Sequence, residues 1–269
     1  MSMILKRVLL HTAGFLHGIA TAHPRPRNDL SAAIHDLVIA NHILYAQGVV
    51  DSFGHVSIRS PKRPDRFLMA RATAPAQVTV DDIMEFDSEG EPVDRGGRSI
   101  YSERFIHSEI YRKRADVNSV VHSHSPGVIP FGVTQVPLQA ISATGAFLHT
   151  GVPIFDIRHA AGMTDMLVRN AALGKALAES LGASPVALMR GHGDVVVGPS
   201  LQTAVSRAIY TEVNARIQTQ AIMLAAGGPI TYLAPEECAK REAGAVQEKP
   251  GSGHGQDRAW EMWKSELVE

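Results

Sequence analysis

The sequence predicts an α/β or α+β sandwich in which helices cover a mixed sheet. Three observations point there. Apolar residues recur at helical spacing from Leu30 to Leu44, short strand-like runs crowd residues 55–87, and helical and strand-like segments alternate from 103 to 226. The 269-residue chain carries no internal repeat and no dinucleotide-binding fingerprint.

Taken in order, Leu30, Ala33, Ile34, Leu37, Val38 and Leu44 form the apolar stripe of an amphipathic helix, and Gly48 stands where it would stop. Strands follow at 55–59, 67–71 and 83–87, the last closed by the Ser88-Glu89-Gly90 turn. Ser102 is placed to cap a helix over 103–114, and a turn then leads to a strand over 119–124 rich in β-branched residues. Beyond it the pattern gives a strand at 153–157, a helix over 164–181, strands at 186–189 and 195–197, and a long helix over 201–226. A helix near 235–243, a Gly/Ser-containing linker and an amphipathic helix bearing Trp260 and Trp263 complete the chain. Residues 1–28 read as an N-terminal extension, 29–244 as the main domain, and 245–269 as linker and terminal helix.

Composition removes several function classes. With 26 Lys+Arg against 27 Asp+Glu there is no basic stripe to neutralise a phosphate backbone, so no nucleic acid is expected as partner. No apolar run reaches the ~20 residues a bilayer span needs, so no membrane span is expected. Lys6 and Arg7 before the apolar residues 8–22, with Ala20-Thr21-Ala22 at the end, loosely resemble a leader, but His11 and His17 interrupt the run. The expectation is an extension packed on the body or on another subunit. The single cysteine, Cys238, has no intramolecular disulfide partner, which fits a reducing compartment and a cytoplasmic location.

Thirteen histidines make any one pair weak evidence by itself, but three are distinctively placed. His122 and His124 lie two apart on an expected strand, so their imidazoles project from one face and can meet on one ion. Glu103 opens the preceding helix and is either a hard oxygen ligand or proton carrier, or a first-turn acid favoured by the helix dipole. His192 sits between Gly191 and Gly193, where the backbone can turn sharply and present the ring, or else it is a solvated turn residue.

Residues 101–124, YSERFIHSEIYRKRADVNSVVHSH, resemble the central signature of the class II aldolase/adducin family, in which an S-E-x-x-x-H helix leads to a V-V-H-x-H strand. A later H-G, here His192-Gly193, belongs to the same pattern. GHVSIR at 54–59 is similar to the family's G-N-x-S-x-R segment and YLAPEE at 232–237 to its C-terminal helix start, so the likeness spans about residues 30–243. The resemblance implies a class II aldolase-like sandwich, a central mixed or antiparallel sheet flanked by helices, assembled as a homotetramer with sites at subunit interfaces. It also implies a metal held by His122, His124 and His192, with Glu103 as fourth ligand or acid/base. Adducin-type members are structural proteins without the metal residues; a non-catalytic interaction protein, with Trp260 and Trp263 docking a partner, is the reading from that side, against the preferred one in which their helix packs over its own or a neighbouring subunit.

The departures bear on the reaction. Where sugar-phosphate members grip phosphate, His55 replaces the Asn, RATAP at 71–75 replaces a Thr/Ser-Gly turn, and Tyr101 replaces a serine. The aldolase tyrosine expected after Pro137 is absent; Ile141, Ser142 and Thr144 occupy the region. Other members decarboxylate hydroxylated aromatic or pyridine carboxylates, and the resemblance therefore implies a metal-dependent lyase acting on such a small-molecule (di)carboxylate. Both decarboxylation and aldol cleavage leave a carbanion that a Lewis acid stabilises as an enolate. In this expectation Glu103 is catalytic, and Arg71, with its planar fork, His55 and Thr144 bind substrate. Arg158 and His159 keep structural readings. The alternative is a metal-dependent aldolase or dehydratase of an unphosphorylated hydroxy-oxo acid. Imidazole nitrogens with one carboxylate suit Mn2+ or Zn2+, then Fe2+ or Co2+.

Overall fold

The computed structural model describes residues 29–246 and 255–268, so the N-terminal extension and the linker lie outside the described residues. Asp29 caps the first helix, α1 (Leu30–Ala46), by accepting from the Ser31 N–H. Strands β1 (His55–Arg59), β2 (Phe67–Ala70) and β3 (Ile83–Phe86) follow. Next come α2 (Arg104–Lys113), β4 (Ser119–Ser123), the short α3 (Ile129–Val133), a 3-10 segment (Ala143–Thr150), β5 (Ile154–Phe155) and α4 (Arg158–Ala161). The chain continues through α5 (Ala171–Leu181), β6 (Val186–Met189), β7 (Gly193–Gly198), α6 (Leu201–Ala225), α7 (Pro235–Val246) and α8 (Gly255–Ser265).

The strands form one seven-stranded sheet in the order β3-β2-β1-β4-β7-β6-β5. Every neighbouring pair is antiparallel except β5 and β6. The mixed sheet expected from the sequence is therefore present. Alternation along the strands divides the core between its two faces. Val56, Val121, Val186 and Val196 meet α1, α6 and α8 on one face, while Val120, Val195, Val197 and Met189 meet Ile106 and Ile110 of α2 and Leu177 and Leu181 of α5 on the other. His122, two residues beyond Val120, shares the α2 face. His55 stands directly opposite it in the β1–β4 register.

Several expected boundaries are corrected. The helix expected over 164–181 begins only at Ala171, where Asn170 caps it by accepting from the Leu173 N–H. Before it, Met166 has a left-handed φ of 69°, which breaks a helix. Ser102 does not cap α2; Glu103 occupies the cap position and makes no capping bond. The strand at 153–157 shrinks to two residues, because Asp156 turns aside to pair with Arg158 and Arg190. The 3-10 segment was not foreseen; it packs on α6 and α7, and nearby loop groups are held by Asn214 and Gln218 of α6. Trp260 and Trp263 are buried, and Trp263 lies with its ring 6.1 Å from that of Tyr210 of α6. They close the chain's own core and do not form a docking surface. Among the described residues no helix is long and apolar enough to cross a membrane.

Candidate metal centre

The C-terminal end of β4 delivers His122 to the α2 face and His124 just beyond it. The β6–β7 turn delivers His192, and the start of α2 delivers Glu103. Each of the four offers a donor atom, and these atoms all lie within 4.8 Å of one another. His192 Nε2 is 3.1 Å from His124 Nε2, and Glu103 Oε2 is 3.6 Å from Nε2 of both His122 and His192. Tetrahedral ligands about 2.0–2.1 Å from a zinc-sized ion are about 3.3 Å apart, so these separations are those of atoms sharing one cation.

The surroundings aim the lone pairs inward. His122 Nδ1 lies 2.9 Å from the Asp194 carbonyl and His192 Nδ1 lies 3.1 Å from the Met166 carbonyl, so each Nδ1–H donates outward and each Nε2 faces the cluster unprotonated. His122 Nε2 is buried and has no hydrogen-bond partner among the described residues. A buried orphan acceptor facing two more imidazoles and a carboxylate is the environment a divalent cation satisfies. Glu103 Oε1 accepts the Val168 N–H at 2.9 Å, which fixes the carboxylate.

Electrostatics agrees with this geometry. Burial, and then the neighbouring imidazoles, hold His122 well below the ordinary histidine range, and burial with His124 lowers His192 to about 4. Both rings are in the neutral, ligating form. Burial raises Glu103 to about 7, and the charge of Arg169 offsets only part of that; a bound cation would favour the carboxylate.

Gly191 and Gly193 serve His192 differently. Gly191 supplies a φ of 67°. A Cβ on Gly193 would come 1.9 Å from the Ser123 carbonyl oxygen, so glycine is required for β7 to approach β4 there.

Beside the histidines stands a polar wall. The Tyr101 ring lies 4.5 Å from that of His55, and its hydroxyl donates to the Thr73 carbonyl. Arg71 Nε donates to Asp82 at 2.5 Å, and Asp82 is held in turn by the Thr79 N–H and hydroxyl. Arg71 is therefore half engaged, and the Asp82 pair leaves its two Nη groups available. Thr144 is not brought to the cluster within this chain; it is exposed on the 3-10 segment, with its hydroxyl 3.2 Å from that of Ser142. His159 and Arg158 lie on α4, with Arg158 paired to Asp156.

Sequence reasoning missed the supporting groups. His55 Nδ1 is 2.7 Å from His107 Nε2, His107 Nδ1 is 2.6 Å from the Ser57 hydroxyl, and Ser57 is 2.8 Å from the Tyr111 hydroxyl. Behind His124, the Ser123 hydroxyl donates to Asp194 at 2.5 Å, and the Ser125 hydroxyl and the Gly127 N–H donate to Glu212. The available signals were polar residues at alternate strand positions, 55 and 57 on β1, and His107, the histidine that ends the S-E-x-x-x-H pattern on α2. Burial lowers His107 to about 3. Between pH 6.5 and about 3 the unfolded chain therefore binds a proton that the folded chain refuses, so stability falls as pH falls through that window. The expected result is a lower Tm at pH 5 than at pH 7, with a shallower decline in His107→Gln.

The sequence pattern of the class II aldolase and adducin N-terminal domain matches residues 35–219. This chain belongs to the class II aldolase/adducin family. It is 37% identical over 257 residues to decarboxylase tropJ of Talaromyces stipitatus, covering 88% of this chain and 94% of that protein. It is 33% identical over 214 residues to the 3,4-dihydroxyphthalate decarboxylase of a Terrabacter species, covering 74% of this chain and 84% of that one. The fold is similar to an aldolase II superfamily protein from Pseudomonas syringae, with a TM-score of 0.72 at 24% identity, covering 90% and 94% of the two chains. The expected family and fold are thereby established.

Proposed function

We propose that this chain is a metal-dependent decarboxylase of a hydroxylated aromatic or pyridine dicarboxylate. The observation that carries the reading is the inward-facing set of Glu103, His122, His124 and His192, bordered by His55 with Tyr101 beside it and Arg71 within electrostatic reach of Tyr101, where sugar-phosphate members have their phosphate grip. The relatives named above are decarboxylases, which favours loss of CO2 over aldol cleavage.

His122, His124 and His192, with Glu103, would hold the cation, Mn2+ or Zn2+ by donor type. When bound, it supplies Lewis acidity that draws electron density from a ring through an adjacent oxygen. The chain's own residues manage the rest. As the bond between ring carbon and carboxylate breaks, its electron pair stays on the ring carbon and CO2 leaves. Glu103, fixed by the Val168 N–H beside the cluster, is placed either to complete the ligand set or to relay from solvent the proton that replaces the lost group. The free Nη groups of Arg71 hold the second carboxylate, and burial of His122 and Glu103 limits competing water.

Arg71→Lys keeps a charge for Asp82 but loses the fork. Its expected effect is a KM for the dicarboxylate about tenfold or more higher, with little change for a monocarboxylate analogue, read from initial rates.

The assembly expected is a homotetramer in the cytoplasm, with a neighbouring subunit covering the open side of the site. Phe53 is 68% exposed with its ring 6.2 Å from that of His124, and exposed Val133 stands beside Gly191, which supports a covering surface there. Thr144 would then serve a site only across such an interface.

The test is CO2 release from a panel of hydroxylated benzene and pyridine carboxylates, run beside cleavage of unphosphorylated hydroxy-oxo acids. CO2 from the aromatic acids supports the proposal. Cleavage of the oxo acids without CO2 would give the site to an aldolase or dehydratase, and no bound metal with no turnover would favour an interaction protein.

A further inference from the structure

His55 poses a question that the metal set leaves open. Its ring is 5.0 Å from that of His122, yet it is not among the four converging donors. The reason lies in the column behind it. His55, His107, Ser57 and Tyr111 are joined by three hydrogen bonds of 2.7, 2.6 and 2.8 Å, running from the site into the interior between β1 and α2. All four residues are buried, and with both rings neutral each residue brings one proton.

Four protons serve three links, so one proton lies off the column, on His55 Nε2, on the Ser57 hydroxyl or on the Tyr111 hydroxyl. The far end decides among them. The Arg59 guanidinium lies 4.8 Å over the Tyr111 ring, and among the described residues the Ser57 hydroxyl has no partner other than His107 and Tyr111. Among the described residues the only acceptor offered to the Tyr111 proton is the Ser57 oxygen. Tyr111 then donates to Ser57, Ser57 donates to His107 Nδ1, and His107 Nε2–H donates to His55 Nδ1. The spare proton ends on His55 Nε2, which has no protein partner among the described residues.

We infer that the column Tyr111–Ser57–His107 holds His55 as the Nε2–H tautomer, which turns the ring from an extra metal ligand into a neutral hydrogen-bond donor for a substrate oxygen anion. The Nδ1 lone pair, spent on His107, is unavailable to a cation. The unpartnered Nε2–H suits a carboxylate or phenolate oxygen, and that substrate contact rests on the proposed function. His107, Ser57 and Tyr111 are positioning residues.

Neutron diffraction from deuterated crystals of the zinc-loaded protein reads the tautomer without any substrate. Deuterium on Nε2 of both His55 and His107, with none on either Nδ1, is expected; deuterium on His55 Nδ1 would overturn the inference. Two variants read the consequence. Ser57→Ala removes the donor to His107 and is expected to raise KM about tenfold, with kcat within about threefold and the metal content unchanged. Tyr111→Phe removes the donor that sets the polarity, so Ser57 can also accept from His107 Nδ1–H, and its KM is expected to rise severalfold with kcat within about threefold and the metal content unchanged. An unchanged KM in both variants, or KM rises that only track losses of Tm and of bound metal, would mean that the column merely packs the core and would overturn the inference. A chain that decarboxylates nothing yet shows deuterium on Nε2 would retain the tautomer and lose only the proposed reaction.

Discussion

His124→Ala is expected to purify without its metal and without activity, while folding as well as the parent chain. His124 lies past the end of β4, and 22% of its side chain is exposed, so alanine there opens no cavity in the core. What it removes is one of four donors. Outer-shell changes alone cost about 10- to 100-fold in metal affinity, and losing a ligand should exceed that. The metal-free variant should melt close to the metal-free parent at pH 7, and slightly above it only below about pH 6.5, where the lowered His192 costs stability that burial and His124 together impose. Elemental analysis, CO2 release and a melting curve measure the three effects separately. A variant with full metal and full activity would remove His124 from the site.

Glu103→Gln has the second largest expected effect, and it separates two roles. Glutamine keeps the volume and an oxygen to accept the Val168 N–H, so the start of α2 and the turn at 166–168 should hold. It cannot give or take a proton. If Glu103 delivers the proton that replaces CO2, kcat should fall by about 10²- to 10⁴-fold with KM little changed, and excess metal should not restore it. If Glu103 serves only as a ligand, saturating metal should recover most of the rate. The two outcomes are read from kcat measured across a metal titration.

Much of this site was legible in the sequence because period-two geometry is local. His122 and His124 share a face by strand alternation, and Gly191 and Gly193 mark the sharp presentation of His192; both readings need only neighbouring residues. Glu103 was harder. As a bare sequence position it read more readily as a first-turn acid, and only the fold shows it turned away from capping and held by Val168.

The segment before α5 was misread as helix for a related reason. Its residues have helical spacing, but the Met166 carbonyl is used by His192 and the Val168 N–H by Glu103. Backbone groups committed to a site across the fold leave no trace in side-chain periodicity. The same holds for the His55 column, whose partners lie 50 to 54 residues apart in sequence. The α/β sandwich and its mixed sheet followed from local patterns, whereas the strand order, which sets His55 opposite His122, comes from long-range pairing.

The central claim is that one divalent cation at Glu103, His122, His124 and His192 is required for loss of CO2 from a hydroxylated ring dicarboxylate. Its most direct test is CO2 release by chelator-treated protein as metal is returned in measured amounts. The account predicts no release at zero metal and a rise that levels off at one ion per chain, absent from His124→Ala. Undiminished release from the metal-free protein would contradict it.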